Sequence, residues 1–156
     1  MSIKYAYLGP AGTFTEAALL KIAASDDQLI AYANVTAALD AVRKGEANKA
    51  LVPIENSVEG VVARTLDELA SGEPLVITAE TTLPVTFSLM TLENKDPKDI
   101  KSIATHPHAE SQCRSFIAKN YPNAQVIETA STAAAAKGLS KGDYDAAIGA
   151  AIAAKN

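Results

Sequence analysis

Short apolar runs alternate with helix-like segments over most of the chain. A short apolar run between turn residues predicts a buried strand, and apolar residues three and four apart predict an amphipathic helix. Strands are predicted over 3–8, 28–32, 49–52, 102–105, 125–128 and 145–148, and helices over 11–24, 35–44, 61–70, 109–120, 132–139 and from 150 onward. Repeated strand–helix units predict α/β architecture with mostly parallel sheets and helices on their faces.

Two of the predicted helices have a recognisable apolar face. The face of the first consists of Ala17, Leu20 and Ala24, and the face of the second consists of Ala38, Leu39 and Val42. Gly45 follows the second helix where a C-terminal stop belongs. These side chains are expected to pack against the sheet.

The stretch 75–92 interrupts this alternation. It is rich in valine, isoleucine and threonine, is broken by Pro84 and has no helix of its own, so it predicts a pair of strands crossing between two lobes. The predicted organisation is a first α/β lobe over 1–75, extended crossover strands over 76–92 and a second α/β lobe over 93–156, with a cleft between the lobes. Because the final helix is cut short, the second lobe is expected to be truncated, with its last segment missing.

Composition narrows the range of functions. The net charge is −4, and the 14 basic residues are scattered among 18 acidic ones, which disfavours nucleic acid as a partner. A single cysteine excludes an internal disulfide and a cysteine-based zinc cluster. No signal peptide or long apolar run is visible, so a cytoplasmic protein without a membrane partner is expected.

In the first lobe, polar residues follow two predicted strands, where ligands of parallel sheets bind. Thr13 and Thr15 follow a Gly-Pro-Ala-Gly turn and are candidate helix caps facing a ligand, or plain caps. The second junction places Glu55, Asn56 and Ser57 directly after a strand. An acid, an amide and a hydroxyl in succession suit the edge of a reaction site, although a solvated turn uses the same residues.

The second lobe has two comparable junctions. His106 ends a predicted strand, and Gln112 lies one to two turns into the next helix, where both could face the cleft. A metal site is disfavoured because Pro107 separates His106 from His108 and the chain has no further histidine. Ser131 and Thr132 stand where a helix cap belongs. The remaining candidates are Cys113, expected as a small buried residue rather than a nucleophile, and the turn at 148–151, which offers only backbone N–H groups.

These segments together resemble the prephenate dehydratase family over nearly the whole chain. The resemblance is carried by the motifs Gly-Pro-Ala-Gly-Thr-Phe at 9–14, Pro-Ile-Glu-Asn-Ser-Val-Glu-Gly at 53–60, Thr-Leu-Asp at 65–67, His-Pro at 106–107, Gln-Cys at 112–113 and Ser-Thr-Ala-Ala at 131–134. Two departures are visible. His108 stands where the family often has glutamine, and the chain ends before the family's Thr-Arg-Phe motif, whose threonine is the first catalytic donor that the resemblance implies.

The resemblance implies a fold similar to type 2 periplasmic binding proteins and a carbon–oxygen lyase that converts prephenate to phenylpyruvate in phenylalanine biosynthesis. It implies a small-molecule substrate, no cofactor, no metal and a homo-oligomer in the full-length protein. It also implies that a regulatory ACT domain usually follows. The chain alone is expected to be weak or inactive. Arogenate dehydratase and a two-lobe module that binds small anions without catalysis remain alternatives.

Within this resemblance each candidate residue has an expected role. Glu55, Asn56, Ser57 and Gln112 would orient and polarise the departing hydroxyl as catalytic residues. Burial of Glu55 would favour its protonated form, whereas a surface position would remove its role as a donor. The expected substrate-binding residues are Thr13, Phe14, His106, Ser131 and Thr132, with the caps meeting the two carboxylates and Phe14 forming an apolar wall.

Overall fold

In a computed structural model, which describes residues 2–93 and 95–155, the first apolar run forms the centre of a parallel sheet. The strands are β1 (Lys4–Leu8), β2 (Gln28–Tyr32) and β3 (Lys49–Leu51), in the order β2-β1-β3. Leu8 pairs with Tyr32, and Tyr7 with Leu51. All three predicted strands are therefore confirmed, and their carboxyl ends leave the sheet along one edge.

Side chains of β1 alternate between two apolar layers. Tyr5 and Tyr7 pack with Leu19 of helix α1 (Phe14–Leu19), whereas Ala6 packs with Ala38, Ala41 and Ala47 beside helix α2 (Val35–Arg43). The prediction for α2 is confirmed. The prediction for the first helix is wrong in detail, because Leu19 is fully buried while Leu20 is 53% exposed, and the α-helix has six residues only.

Helix α3 (Ala63–Ser71) is held to α2 by a buried ion pair. The Arg43 guanidinium contacts a Glu68 carboxylate oxygen at 2.9 Å, and their side chains are only 10% and 13% exposed. Arg43 also donates to the Glu68 carbonyl oxygen at 2.9 Å. A Cβ at Gly72 would stand 2.1 Å from this guanidinium, so glycine there permits the close approach. The pair fixes α3, whose first turn contacts the loop after β3.

The prediction for the stretch 75–92 is wrong. Residues 74–87 form no helix or strand, although a pair of strands was expected, and only Ser88–Thr91 is a strand. Val76 is 86% exposed and Ile77 is 70% exposed. Strand propensity needs a neighbouring backbone to pair with, and the side-chain pattern of a segment does not supply one. Conversely, a short hairpin of β4 (Glu55–Asn56) and β5 (Gly60–Val61) was not predicted.

Contacts divide the chain into two units, Met1–Leu83 and Pro84–Asn156. The second unit has a four-stranded sheet in the order β6-β9-β7-β8, in which only β6 is antiparallel to its neighbour. Its elements are β6 (Ser88–Thr91), β7 (Ser102–Thr105), helix α4 (Pro107–Asn120), β8 (Gln125–Glu128), helix α5 (Thr132–Ser140) and β9 (Ala146–Gly149). The α/β class with mostly parallel sheets is therefore confirmed.

The second unit also contains two 3-10 helices. Pro97–Asp99 lies between β6 and β7, and Ala151–Lys155 replaces the α-helix that was expected from residue 150 onward. On one face of the sheet, Ile103 and Ile148 pack against Ile117 of α4, and on the other Ala104 packs against α5. Within the ranges 2–93 and 95–155, no helix has the length and apolar composition needed to cross a bilayer.

Candidate functional site

The loop between β1 and α1 is held close to the sheet. A Cβ at Gly9 would lie 2.7 Å from the Ala31 Cβ, and Gly12 has a φ of 85°, a region that favours glycine. Thr13 is the N-cap of α1: its Oγ1 accepts from the Glu16 N–H at 3.4 Å. Phe14 follows as the first helical residue and is half-buried. The structure therefore confirms the capping position of Thr13, and its contact with substrate stays a prediction.

A carboxylate already occupies the start of α1. Glu16 Oε2 accepts from the Gly12 N–H at 2.6 Å, and Oε1 accepts from the Tyr7 hydroxyl at 3.0 Å. A second negative charge beside Glu16 would be repelled, and a six-residue helix has little dipole to offset that repulsion. We therefore expect Thr13 to contact an uncharged part of the substrate instead of a carboxylate.

The Tyr7 phenol makes the stability of the first unit depend on pH. Burial, together with the hydrogen bond to Glu16 and its negative charge, raises the pKa of Tyr7 from 10.0 to about 12. The neutral phenol is favoured in the folded state, so its stabilisation is complete below about pH 10 and is lost as the pH rises towards 12. Urea unfolding between these pH values is expected to show a falling midpoint, and Tyr7→Phe is expected to flatten that fall. An equally steep fall in Tyr7→Phe would exclude Tyr7 as its source.

The hairpin after β3 carries the three predicted catalytic residues of this unit. Asn56 Oδ1 accepts from the Val58 N–H at 2.9 Å and from the Glu59 N–H at 3.4 Å. These two donors identify the oxygen side of the carboxamide and leave its NH₂ group facing away from the turn. Ser57 is exposed. Glu55 is exposed too, so the burial that would favour its protonated form is absent and the argument for it as a proton donor fails.

A buried hydroxyl holds the entry to this hairpin. Thr65, in the first turn of α3, is 1% exposed, and its Oγ1 donates to the Pro53 carbonyl oxygen at 2.6 Å. The Val62 N–H donates to the Ile54 carbonyl oxygen at 2.9 Å. Helix α3 and its N-cap residue therefore hold the two residues directly before Glu55.

In the second unit, His106 is the N-cap of α4. Its Nδ1 accepts from the His108 N–H at 3.3 Å, and the two rings meet edge to face with centroids 4.8 Å apart. Pro107 occupies the first helical position, where it loses no hydrogen bond. Among the described residues, no cluster of three or more histidine, cysteine or acidic side chains has the arrangement of a metal site. His106 therefore has a capping role, and a role in substrate binding stays a prediction.

Gln112 lies on α4 beside an apolar pocket of about 280 Å³. The other lining residues are Phe87, Leu89, Cys113, Phe116 and Ile148. Gln112 is exposed, so its amide is accessible, and an apolar wall beside it would strengthen any hydrogen bond it donates. Burial, with a smaller effect from Glu110, raises the pKa of Cys113, which agrees with its expected role as an unreactive residue.

The start of α5 is the best-formed candidate for an anion site in the predicted set. Ser131 is its N-cap, with Oγ accepting from the Ala134 N–H at 3.0 Å, and the first turn contains no acidic residue. A Cβ at Gly149 would lie 3.1 Å from the Thr132 Cβ, so the end of β9 lies directly against this turn. The first-turn N–H groups of a helix and its positive end suit a carboxylate.

Within each unit, the junction residues gather at the carboxyl ends of the parallel strands. In the first unit these are Thr13 and the Glu55–Ser57 segment, and in the second they are His106 together with Ser131 and Thr132. Sequence reasoning missed Glu16, Thr65 and the α2 cap Asn34, whose Oδ1 accepts from the Ala37 N–H at 2.8 Å. The Thr-x-x-Glu spacing of 13–16 is a capping-box signal that would have identified Glu16.

Comparison with known proteins finds similarity to prephenate dehydratases. A family model described as prephenate dehydratase matches residues 5–156. The prephenate dehydratase of Amycolatopsis methanolica is 49% identical over 153 residues, which cover 98% of this chain and 50% of that relative. A crystal structure of prephenate dehydratase from Arthrobacter aurescens in complex with L-Phe is 47% identical with a TM-score of 0.90, covering 98% of this chain and 51% of that one.

A more distant structural relative bears a different description. GqqA, described as a novel type of quorum quenching acylase, is 25% identical with a TM-score of 0.81 and covers 97% of this chain and 55% of that one. Its identity to this chain is about half that of the Arthrobacter protein. The chain spans about half the length of the curated relatives it matches.

Proposed function

Because the chain belongs to the prephenate dehydratase family, we propose that the protein carrying it converts prephenate to phenylpyruvate, with release of carbon dioxide and water. The observation that carries this proposal is the family match over 5–156, which includes every predicted site residue. The chemistry is that of a carbon–oxygen lyase. As a biosynthetic step it belongs in the cytoplasm, and the full-length protein is proposed to be a homo-oligomer.

The reaction makes two demands on the site. The bond between the ring and its carboxylate breaks, and its electron pair moves into the ring as carbon dioxide leaves. The ring hydroxyl departs with an added proton as water, and the ring becomes aromatic. A donor to the departing oxygen is therefore needed, and positioned acid assistance is worth roughly 10²–10⁴ in rate.

Three side chains of the chain are proposed to serve as hydrogen-bond donors in this reaction. They are Asn56 through its outward NH₂ group, Ser57 through its exposed hydroxyl and Gln112 through its accessible amide. None of these is a strong acid, so they orient and polarise the hydroxyl. Glu55 is not retained as the acid because it is exposed.

The substrate's carboxylates have one well-formed candidate contact here. The α5 N-terminus at Ser131 and Thr132 has a side-chain cap and no acidic residue in its first turn. At the α1 N-terminus Glu16 already occupies the equivalent place. We propose that α5 binds a carboxylate and that Thr13 and Phe14 contact uncharged parts of the substrate.

The test compares prephenate with arogenate, which differs in carrying an amino group in place of the keto group. The extended protein, meaning the chain continued to the full length of its curated relatives, is expected to turn over prephenate with the higher kcat/KM. A higher value for arogenate would identify the alternative dehydratase. Tight binding of prephenate without turnover of either compound would identify a binding module.

A further inference from the structure

We propose that Glu16 and Tyr7 are positioning residues that hold the loop 9–13 in its substrate-contacting form; this rests on the proposed function, in which Thr13 contacts substrate. Neither residue touches the reacting atoms in this proposal. Their role is to fix the direction of the chain immediately before Thr13.

Glu16 contacts this loop at two consecutive residues. Its carboxylate accepts from the Gly12 N–H at 2.6 Å, and its own N–H donates to Thr13 Oγ1 at 3.4 Å. This resembles a capping box, except that the carboxylate reaches the residue before the N-cap. Thr13 is therefore held both through its own side-chain oxygen and through the peptide of the preceding Gly12.

Tyr7 connects that carboxylate to the sheet. It lies in β1, is 2% exposed and packs with Tyr5 and Leu19, so its ring has little freedom. Its hydroxyl donates to Glu16 Oε1 at 3.0 Å, which leaves Oε2 directed at Gly12. Because the Tyr7 hydroxyl is held rigidly, its bond to Oε1 also sets the position of Oε2.

Gly12 makes the loop dependent on this acceptor. Its φ of 85° lies in the left-handed region, where glycine has wide freedom, and a free loop would sample other conformations. The bond to Glu16 removes that freedom before substrate binds. Preorganisation of this kind strengthens binding by lowering the ordering cost. We therefore expect loss of Glu16 to raise KM and to leave kcat nearly unchanged.

Four variants of the extended protein test this. Glu16→Ala is expected to raise the KM for prephenate roughly five- to thirtyfold, which corresponds to about 1–2 kcal/mol for a lost cap. Glu16→Gln should rescue binding, because its Oε1 accepts from Gly12 and its NH₂ donates to the Tyr7 oxygen. The KM of Tyr7→Phe should lie between those of Glu16→Ala and Glu16→Gln. Glu46→Ala, which removes an exposed acid elsewhere in the same unit, is the control and should match the wild type.

A second readout needs no catalysis. Hydrogen exchange at the Gly12 amide is expected to be roughly tenfold faster in Glu16→Ala and unchanged in Glu16→Gln and Glu46→Ala. If the extended wild type makes no phenylpyruvate, the proposed function fails, and the positioning role is decided by this exchange alone. The positioning role is overturned by an unchanged exchange rate in Glu16→Ala, by an unchanged KM in an active protein, or by a glutamine variant as impaired as the alanine variant.

Discussion

Replacing Asn56 with alanine in the extended protein is expected to lower kcat by roughly ten- to a hundredfold. The variant loses the NH₂ group proposed to donate to the departing hydroxyl. It also loses the oxygen that accepts from the Val58 and Glu59 N–H groups and so shapes the hairpin turn. Steady-state rates of phenylpyruvate formation measure the combined effect.

Asn56→Asp separates the two contributions. A carboxylate keeps an acceptor for both N–H groups, so the turn and the thermal midpoint should be preserved, but it has no donor for the substrate hydroxyl. We expect kcat to remain near the alanine level. Recovery of kcat in Asn56→Asp would show that the residue acts only by shaping the turn. Asn123→Ala, at an exposed turn of the second unit, is the matched control and should retain full activity.

Replacing Asp145 with alanine is expected to lower the free energy of unfolding of the second unit by about 2–3 kcal/mol. Asp145 joins the starts of β7 and β9. Its Oδ2 accepts from the Lys101 N–H, the Ser102 N–H and the Ser102 hydroxyl, each at 3.0 Å, and its Oδ1 contacts the Lys95 ammonium group at 2.7 Å. Truncation leaves two backbone donors and a hydroxyl to be satisfied by water.

Lowering the pH should decrease the free energy of unfolding of the second unit, as Asp145→Ala does. The hydrogen bond from Lys95, followed by the N–H of Lys101, holds the pKa of Asp145 well below its usual range. The stabilisation is therefore present above about pH 4 and is lost as the pH falls below that value towards the folded-state pKa. Hydrogen exchange in β7 and β9 is expected to accelerate in Asp145→Ala, while exchange in β1 stays constant.

The neighbouring exposed acid Asp143 provides the control. Asp143→Ala removes the same charge two residues away and should leave both stability and its acid dependence unchanged. If Asp143→Ala lost as much stability as Asp145→Ala, general charge balance would explain the effect better than the four specific contacts.

Much of the fold was predictable because its strands have local signals. The runs at 28–32 and 102–105 coincide with observed strands because a short apolar run between turn residues indicates a strand without information from distant sequence. The stretch 74–87 has an equally strong strand composition but forms no strand, since pairing depends on a neighbouring backbone that composition does not reveal. Leu20 was predicted on the apolar face in place of Leu19 because leucine occupies both positions, although one residue is a rotation of about 100° around the helix.

The helix caps of the candidate site were predictable from the sequence, whereas the exposure and contacts of its acidic residues were less so. Thr13 and Ser131 cap helices after strands, as the junction pattern predicted, whereas His106 was predicted only at a strand end and also proves to be a cap. The exposure of Glu55 was not predictable, because an acid after a strand occurs both in clefts and on surfaces. The occupied α1 terminus was missed although the Thr-x-x-Glu spacing of 13–16 indicates it, and only the bond from Gly12, one residue before the cap, depends on how the loop turns.

We propose that this chain supplies part of a prephenate dehydratase site. The most direct test is the rate of phenylpyruvate formation from prephenate at neutral pH, corrected for the uncatalysed reaction, for the chain alone and for the extended protein. We expect the extended protein to be active and the chain alone to remain near the uncatalysed rate. A folded extended protein that forms no phenylpyruvate would contradict the claim.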